Sequence, residues 1–345
     1  MIEVDLEVQA LFSADFYADR RGSFINKIIF NLEVYRVNRS LPTGRQASLR
    51  FMIYNMKSYL DIVKKILDSG IEKTDRTGTG TISIPGVIFE HNMNNGFPLL
   101  VTKKMPFKVI ATELEFFIKG ITDKQWLIDR NCHIWDEWAN PEKAPYGHDE
   151  ESKKRMVEER DLGPVYGFQW RHFGASYYNY DSDYTGQGFD QIKYVVDSLK
   201  NKPDDRRMLV SAWNPMDAGK MALPPCHYAF QVTVTDNKLN LMWNQRSVDT
   251  MLGLPFNIAS YGLLLHLLAK ESGFGEGRLV GFLGDTHIYK NHVEGAKEQL
   301  SRDSDKYQLP KLETTNFTSI FDWKAEDTKV VGYESFDRIK FDIAV

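Results

Sequence analysis

Cys226 stands behind two prolines and ahead of a histidine, in the run Pro224-Pro225-Cys226-His227. Proline fixes its own φ, so the backbone leading into the thiol is held. The thiolate is the nucleophilic form of cysteine, and neighbouring arginines favour it by lowering the pKa. Arg246 follows in Gln245-Arg246-Ser247, and Asn257 closes the same stretch. The set is a nucleophile with groups nearby that read an anion and an amide edge. Arginine forks grip phosphate oxygens two at a time. Further candidates for that task are Arg76, in a glycine-spaced turn, and the pair Arg206-Arg207. Taken singly, each arginine is an ordinary solvated residue and Cys226 an ordinary buried cysteine. Zinc fits poorly. Neither Cys132-His133 nor Cys226-His227 has a second ligand at metal-binding spacing. Three positions after Cys226, where a zinc deaminase carries its second cysteine, stands Ala229. No metal is expected.

These side chains need a scaffold, and the chain can supply one. It has 345 residues, 42% of them hydrophobic and 13% aromatic, ample for a core. A net charge of −4 gives no basic field for nucleic acid, so local arginines must hold any anionic ligand and DNA is not an expected partner. No apolar run is long enough to span a membrane. Two cysteines make no disulfide framework, and no secretory signal is evident, so a cytoplasmic enzyme is expected. From residue 58, apolar positions recur at helical spacing up to Gly70, and residues 109–119 repeat the pattern up to Gly120. Residues 230–234 and 238–243 read as strands around the turn Thr235-Asp236-Asn237, and 258–272 as an apolar helix before Gly273. The charged stretch 140–160 reads as an exposed insertion. Residues 1–55 differ in character: turn-like segments flank an apolar run at 24–32 that suits a strand, and their role is unknown. The expectation is an N-terminal extension, 1–55, and one catalytic domain, 56–345, of α/β (α+β) class.

From about residue 57 to the end, the chain resembles thymidylate synthases and their relatives, the pyrimidine deoxynucleotide hydroxymethylases. Pro224-Pro225-Cys226-His227, Gln245-Arg246-Ser247, Leu254-Pro255-Phe256-Asn257 and Gly284-Asp285-Thr286-His287-Ile288-Tyr289 carry the resemblance. It implies a mixed, twisted β-sheet covered by helices, with two copies dimerising through the sheet. It implies that the Cys226 thiolate adds to C6 of a pyrimidine, with His227, Glu113, Tyr166, Asp249 and Asn257 completing the catalytic set. Arg76, Gln245, Arg246 and Ser247 would bind the nucleotide, and Arg206 and Arg207 would reach across the dimer interface. His287 and Tyr289 would hold the sugar hydroxyl. An amide donates and accepts at once, so Asn257 suits the N3–H and O4 edge of uracil and points to dUMP. The implied cofactor is 5,10-methylenetetrahydrofolate, with Lys103, Trp135, Trp138 and Asp249 beside it and Val345 closing over the site.

Two positions depart from the synthase pattern. Glu113-Leu114-Glu115-Phe116 stands where synthases carry apolar residues after the glutamate, and Asn244 stands where they carry tyrosine. Both substitutions resemble hydroxymethylases, in which water rather than hydride completes the reaction. Glu115 and Asn244 are candidate water-holding residues. They point to a deoxyuridylate hydroxymethylase of phage type in a host cytoplasm, forming 5-hydroxymethyl-dUMP and tetrahydrofolate. The alternatives are thymidylate synthesis and a catalytically dead nucleotide-binding protein. Glu113 and Glu115 lie about 200° apart around a helix, which leaves open an outward orientation for Glu115.

Overall fold

The structure is a computed structural model, and it describes residues 56–74 and 78–342. The N-terminal extension, where a strand is expected at 24–32, lies outside the described residues, as do Arg76 and Val345.

The helices are α1 Lys57–Ser69, α2 Phe107–Ile118, α3 Lys124–Ile128, α4 Glu150–Glu158, α5 Tyr166–His172, α6 Gln191–Asn201, α7 Gly253–Ser272 and α8 Val293–Ser301. The strands are β1 Ile71–Lys73, β2 Thr81–Asn92, β3 Leu209–Ser211, β4 His227–Thr235, β5 Lys238–Asp249, β6 Gly275–Tyr289, β7 Lys311–Thr314 and β8 Thr328–Val331. Tyr59, Ile62, Val63 and Ile66 give α1 one buried face, the period that makes a helix amphipathic. Gly70 ends α1 in extended conformation, with φ −70°, rather than in a left-handed cap. A Cβ there would meet the Ile66 carbonyl oxygen at 2.5 Å. Asp236 and Asn237 turn β4 into β5 with φ 51° and 54°, the left-handed pair that suits a two-residue hairpin. The helix read at 258–272 begins earlier, at Gly253, so Asn257 lies in its first turns rather than in a loop.

The main sheet runs β1-β2-β6-β5-β4-β3. The β5–β6 pair is parallel and every other pair antiparallel, so the sheet is mixed. Parallel neighbours need a crossover, and α7 provides it. Its buried residues, from Leu254 to Ala269, occupy nearly every face, because it packs on β5 and β6 and also against α2 and α6. One sheet face is thereby covered. The other carries the row Ala229–Asn244–Phe282–Ile88, aligned across four strands, with Phe282 and Ile88 exposed.

On the covered face the matching row is Phe230–Trp243–Gly281–Phe89. Gly281 lets the buried Trp243 ring lie across β6 towards Phe89, with ring centroids 5.7 Å apart. A Cβ at Gly281 would come within 2.4 Å of the indole. Trp243 stacks in turn on Tyr261 of α7, with centroids at 5.3 Å. Gly281→Ala is expected to cost about 1–3 kcal/mol, the usual penalty for overfilling a packed core. Its thermal unfolding midpoint, followed by circular dichroism, should fall by several degrees. An unchanged midpoint would show that the indole has room to shift.

Candidate active site

The parallel pair brings the C-terminal ends of β5 and β6 together: Ser247 is level with Asp285, and Asp249 with His287. Beside them β4 begins, with His227 opposite Gln245. The first turns of α7 add Asn257. Residues from distant parts of the chain therefore meet at one end of the sheet, where ligands bind in open α/β folds.

Cys226 sits half-buried just before β4. Arg246 clamps the turn that presents it. Its Nε donates to the Pro225 carbonyl at 2.9 Å, its Nη2 to the Pro224 carbonyl at 2.7 Å, and its backbone N–H to the Cys226 carbonyl at 2.8 Å. The Cys226 N–H donates to the Tyr166 hydroxyl at 2.8 Å. The thiol does not meet the expectation of a lowered pKa. Burial pushes it up, Arg246 pulls it down, and Asp249 pushes it up again, for a net rise.

Tyr166, whose hydroxyl accepts the Cys226 N–H, belongs to an aromatic column. Phe117 stacks on Tyr166 at 4.7 Å, and Tyr166 on His227 at 4.5 Å. The His227 Nδ1 lies 3.0 Å from the Tyr261 hydroxyl. Burial pushes His227 down to about 3, so the ring is neutral at ordinary pH. Burial also holds the Tyr166 phenol well above its usual range. Phe117 and Tyr261 did not stand out in the sequence. Phe117 follows Glu113 by one helical turn, and Tyr261 follows Asn257 likewise, which is the spacing that puts them on the site's side.

Glu113 accepts a hydrogen bond from the Trp135 indole N–H at 2.8 Å. Burial raises its carboxyl to about 7, and the indole works against that rise. The group is therefore poised to gain or lose a proton near neutrality. Asp249 Oδ1 accepts the N–H groups of Met251 and Leu252, both at 3.1 Å, and so fixes the turn into α7. The side chains of Asn257, Ser247 and Arg206 have no hydrogen-bond partner among the described residues. The amide of half-buried Asn257 is thus available to a ligand. His287 Nδ1 lies 3.1 Å from the Asp285 carbonyl oxygen, and its ring is 5.2 Å from that of Tyr289.

Other expected residues have different surroundings. Lys103 is buried and donates to the Met251 carbonyl, with Nζ 4.8 Å from the Phe341 ring centre. Burial lowers it to about 8. Its ammonium supports the turn after Asp249. Gln245 is also buried and internally bonded, accepting from Trp243 and donating to the Ser247 carbonyl. Trp138 is half-buried and stacks on Tyr146 of the 140–160 stretch at 5.8 Å. Arg206 and Arg207 lie exposed on the turn before β3, at the sheet's edge, where Arg207 pairs with Asp205.

The fold gives the two water-holding candidates different surroundings from Glu113. Glu115 projects from α2 on the side away from Glu113. Its Oε2 accepts the Ala325 N–H at 2.9 Å, and its Oε1 lies 3.6 Å from Lys119 Nζ. Two positions along a helix rotate a side chain too far for both carboxylates to share a pocket. Asn244 belongs to the outer row of the sheet, because successive residues of a strand alternate faces. The described residues contain no group of His, Cys, Asp and Glu fit to hold a metal ion, and no helix long and apolar enough to cross a membrane.

A family model described as Thymidylate synthase matches residues 57–345. A bifunctional dihydrofolate reductase-thymidylate synthase of Paramecium tetraurelia is 42% identical over 339 residues, covering 93% of this chain and 71% of its own length. The protein of the same name from Zea mays is 42% identical over 319 residues, covering 91% of this chain and 60% of its own length. Both alignments are longer than the stretch 57–345 and so extend upstream of it. Neither relative is named a hydroxymethylase or comes from a phage, so those two expectations lose their support.

The raised carboxyl of Glu113 has a consequence for stability. A group that binds its proton more tightly when folded stabilises the fold below its unfolded pKa and loses that contribution as pH rises through the folded value. For Glu113 the loss falls between the ordinary carboxylate range and about 7. Glu113→Gln, which cannot ionise, should melt higher than the parent at pH about 8, and its advantage should shrink towards pH about 5. Melting curves at the two pH values test this. An advantage independent of pH would mean that Glu113 ionises without penalty.

Proposed function

The chain belongs to the thymidylate synthase family, and from that premise we propose that it converts dUMP to dTMP. Members of the family are one-carbon transferases acting at C5 of dUMP, use 5,10-methylenetetrahydrofolate and work as dimers. The observation that carries the reading is Cys226, its turn clamped by Arg246 and its backbone N–H on the Tyr166 hydroxyl, with the Glu113 carboxyl on the same site pushed up to about 7.

In this reading the sulfur of Cys226 forms a bond to C6 of the uracil ring, and the ring's electron pair moves to C5. Attack needs the thiolate, and Arg246 is the cation that stabilises it against burial. Asn257, without a side-chain partner among the described residues, donates to O4 and accepts from N3–H. Glu113 is suited to relay a proton at the O4 side, since its pKa lies close to ambient pH. Tyr166 lies on the Cys226 backbone and suits removal of the C5 proton through its hydroxyl. Loss of that proton and of the sulfur leaves the ring aromatic again.

The folate, when bound, supplies the one-carbon unit and the hydride that reduces it, and becomes dihydrofolate. The residues present fit such a ligand. Trp135 and half-buried Trp138 offer flat apolar surface, and Asp249 and Asn257 offer acceptors nearby. Arg246 and Ser247 would take the phosphate, with Arg76 and a second copy's Arg206 and Arg207. The exposed Arg206, unpaired among the described residues, and the exposed Phe282 and Ile88 on the outer face of the sheet both support that across-interface role. His287 and Tyr289 would hold the sugar.

The product decides between the two chemistries. With dUMP and methylenetetrahydrofolate, the enzyme should form dTMP and dihydrofolate in equal amounts, read by mass and by dihydrofolate absorbance. A product carrying one more oxygen, with tetrahydrofolate left unoxidised, would restore hydroxymethylation and overturn this reading.

A further inference from the structure

Lys124, the first residue of α3, is only 1% exposed, and no carboxylate forms an ion pair with it among the described residues. Buried lysines are rare unless paired, because desolvating an ammonium is costly. Here three carbonyl oxygens replace the missing counter-ion. Lys124 Nζ donates to Asp136 at 2.8 Å, to Trp138 at 3.1 Å and to Met156. An ammonium has three N–H groups to give and a neutral amine two, so the cradle fits the charged form. Burial pulls the group down to about 8, and the Asp136 and Glu159 carboxylates pull it the other way.

The three carbonyls belong to one excursion of the chain, residues 135–162. Its base is closed by backbone bonds: Lys124 N–H to the Arg160 carbonyl at 3.0 Å and Leu162 N–H to the Thr122 carbonyl at 3.0 Å. Arg160 pairs with Asp123 at the same place. The Lys124 head grips the interior. Two of its acceptors, the carbonyls of Asp136 and Trp138, lie in the turn that carries Trp135 and Trp138, and the third lies on α4. Trp135 reaches Glu113 through its indole N–H, and Trp138 stacks on Tyr146. The stretch that reads in sequence as an exposed insertion is therefore tied at its centre to the wall of the site.

We propose that Lys124 is a positioning residue for the folate-facing wall: by holding the carbonyls of residues 136, 138 and 156 together, it keeps Trp135 on Glu113 and sets the Trp138 ring. The inference rests on the proposed thymidylate synthesis, since it assigns the wall to the folate. Lys124 touches neither substrate, so its removal acts through Trp135 and Trp138.

The test uses the full chain with Lys124→Met, which keeps the stem and removes the donors, and Lys124→Gln, which keeps two of them. If the parent enzyme makes no dTMP, the functional reading fails and this inference, which assigns the wall to the folate, is overturned with it. If it does, Lys124→Met should raise the KM for methylenetetrahydrofolate about tenfold, the order expected when a positioned group drifts. The dissociation constant for dUMP alone should stay within about twofold of the parent. The Glu113 limb of the pH–rate profile should move to higher pH, as it should in Trp135→Phe, because both lose the indole bond that lowers that carboxyl. Lys124→Gln should fall between. An unchanged folate KM with an unmoved limb in folded Lys124→Met would overturn the proposal. Failure of both variants to fold would overturn it as well, since Lys124 would then support the fold as a whole rather than the wall.

Discussion

The parallel pairing of β5 with β6 is the constraint on which the site depends. Strands side by side in the same direction cannot be joined by a tight turn, so the chain must leave β5, cross and return. It does so through α7, whose length is buried between the sheet and α2. The crossover puts Asp249 at the end of one strand, Asn257 in the first turns of the helix, and His287 at the end of the next strand. Gly281 completes the arrangement, because only a residue without Cβ lets Trp243 lie across β6 and support Tyr261, which in turn meets His227.

The groups of the site are desolvated by burial, and its electrostatics follow from that. Burial opposes the thiolate of Cys226, the carboxylate of Glu113 and the imidazolium of His227 alike. Each is therefore pushed towards its neutral form, and only local partners resist: Arg246 for the thiol and the Trp135 indole for the carboxyl. An anionic nucleotide phosphate would bring its own charge to Arg246, so thiolate formation and substrate binding share one cation. Lys124 shows the same economy of charge away from the thiol, where backbone carbonyls stand in for a carboxylate.

Much of this was legible in the residues. The double proline before Cys226, the Gln245-Arg246-Ser247 run and the amide of Asn257 pointed to a candidate nucleophile and to neighbours that the fold brings to the same end of the sheet, and the hairpin at Asp236-Asn237 was plain from its turn chemistry. The long strand β6 was not. Gly277, Gly281 and Gly284 interrupt its apolar pattern, and their purpose lies in contacts with β5 that no local pattern reveals. The thiol's pKa was also misread, because spacing shows that an arginine is near but not how much water is excluded. Glu115 and Asn244 were read as site residues from their types. Helix and strand periodicity turned them elsewhere, one towards Ala325 and the other to the outer sheet face. Lys124 carried no signal, since its acceptors are backbone atoms.

The central claim is that the Cys226 sulfur bonds to the pyrimidine. A dUMP analogue with fluorine at C5 has no proton there to lose, so the ring cannot be released once sulfur and one-carbon unit are attached. Incubation with this analogue and methylenetetrahydrofolate, followed by mass spectrometry of the digested protein, should show both ligands carried on the peptide containing Cys226. No covalent species, or one on the peptide containing Cys132, would contradict the account.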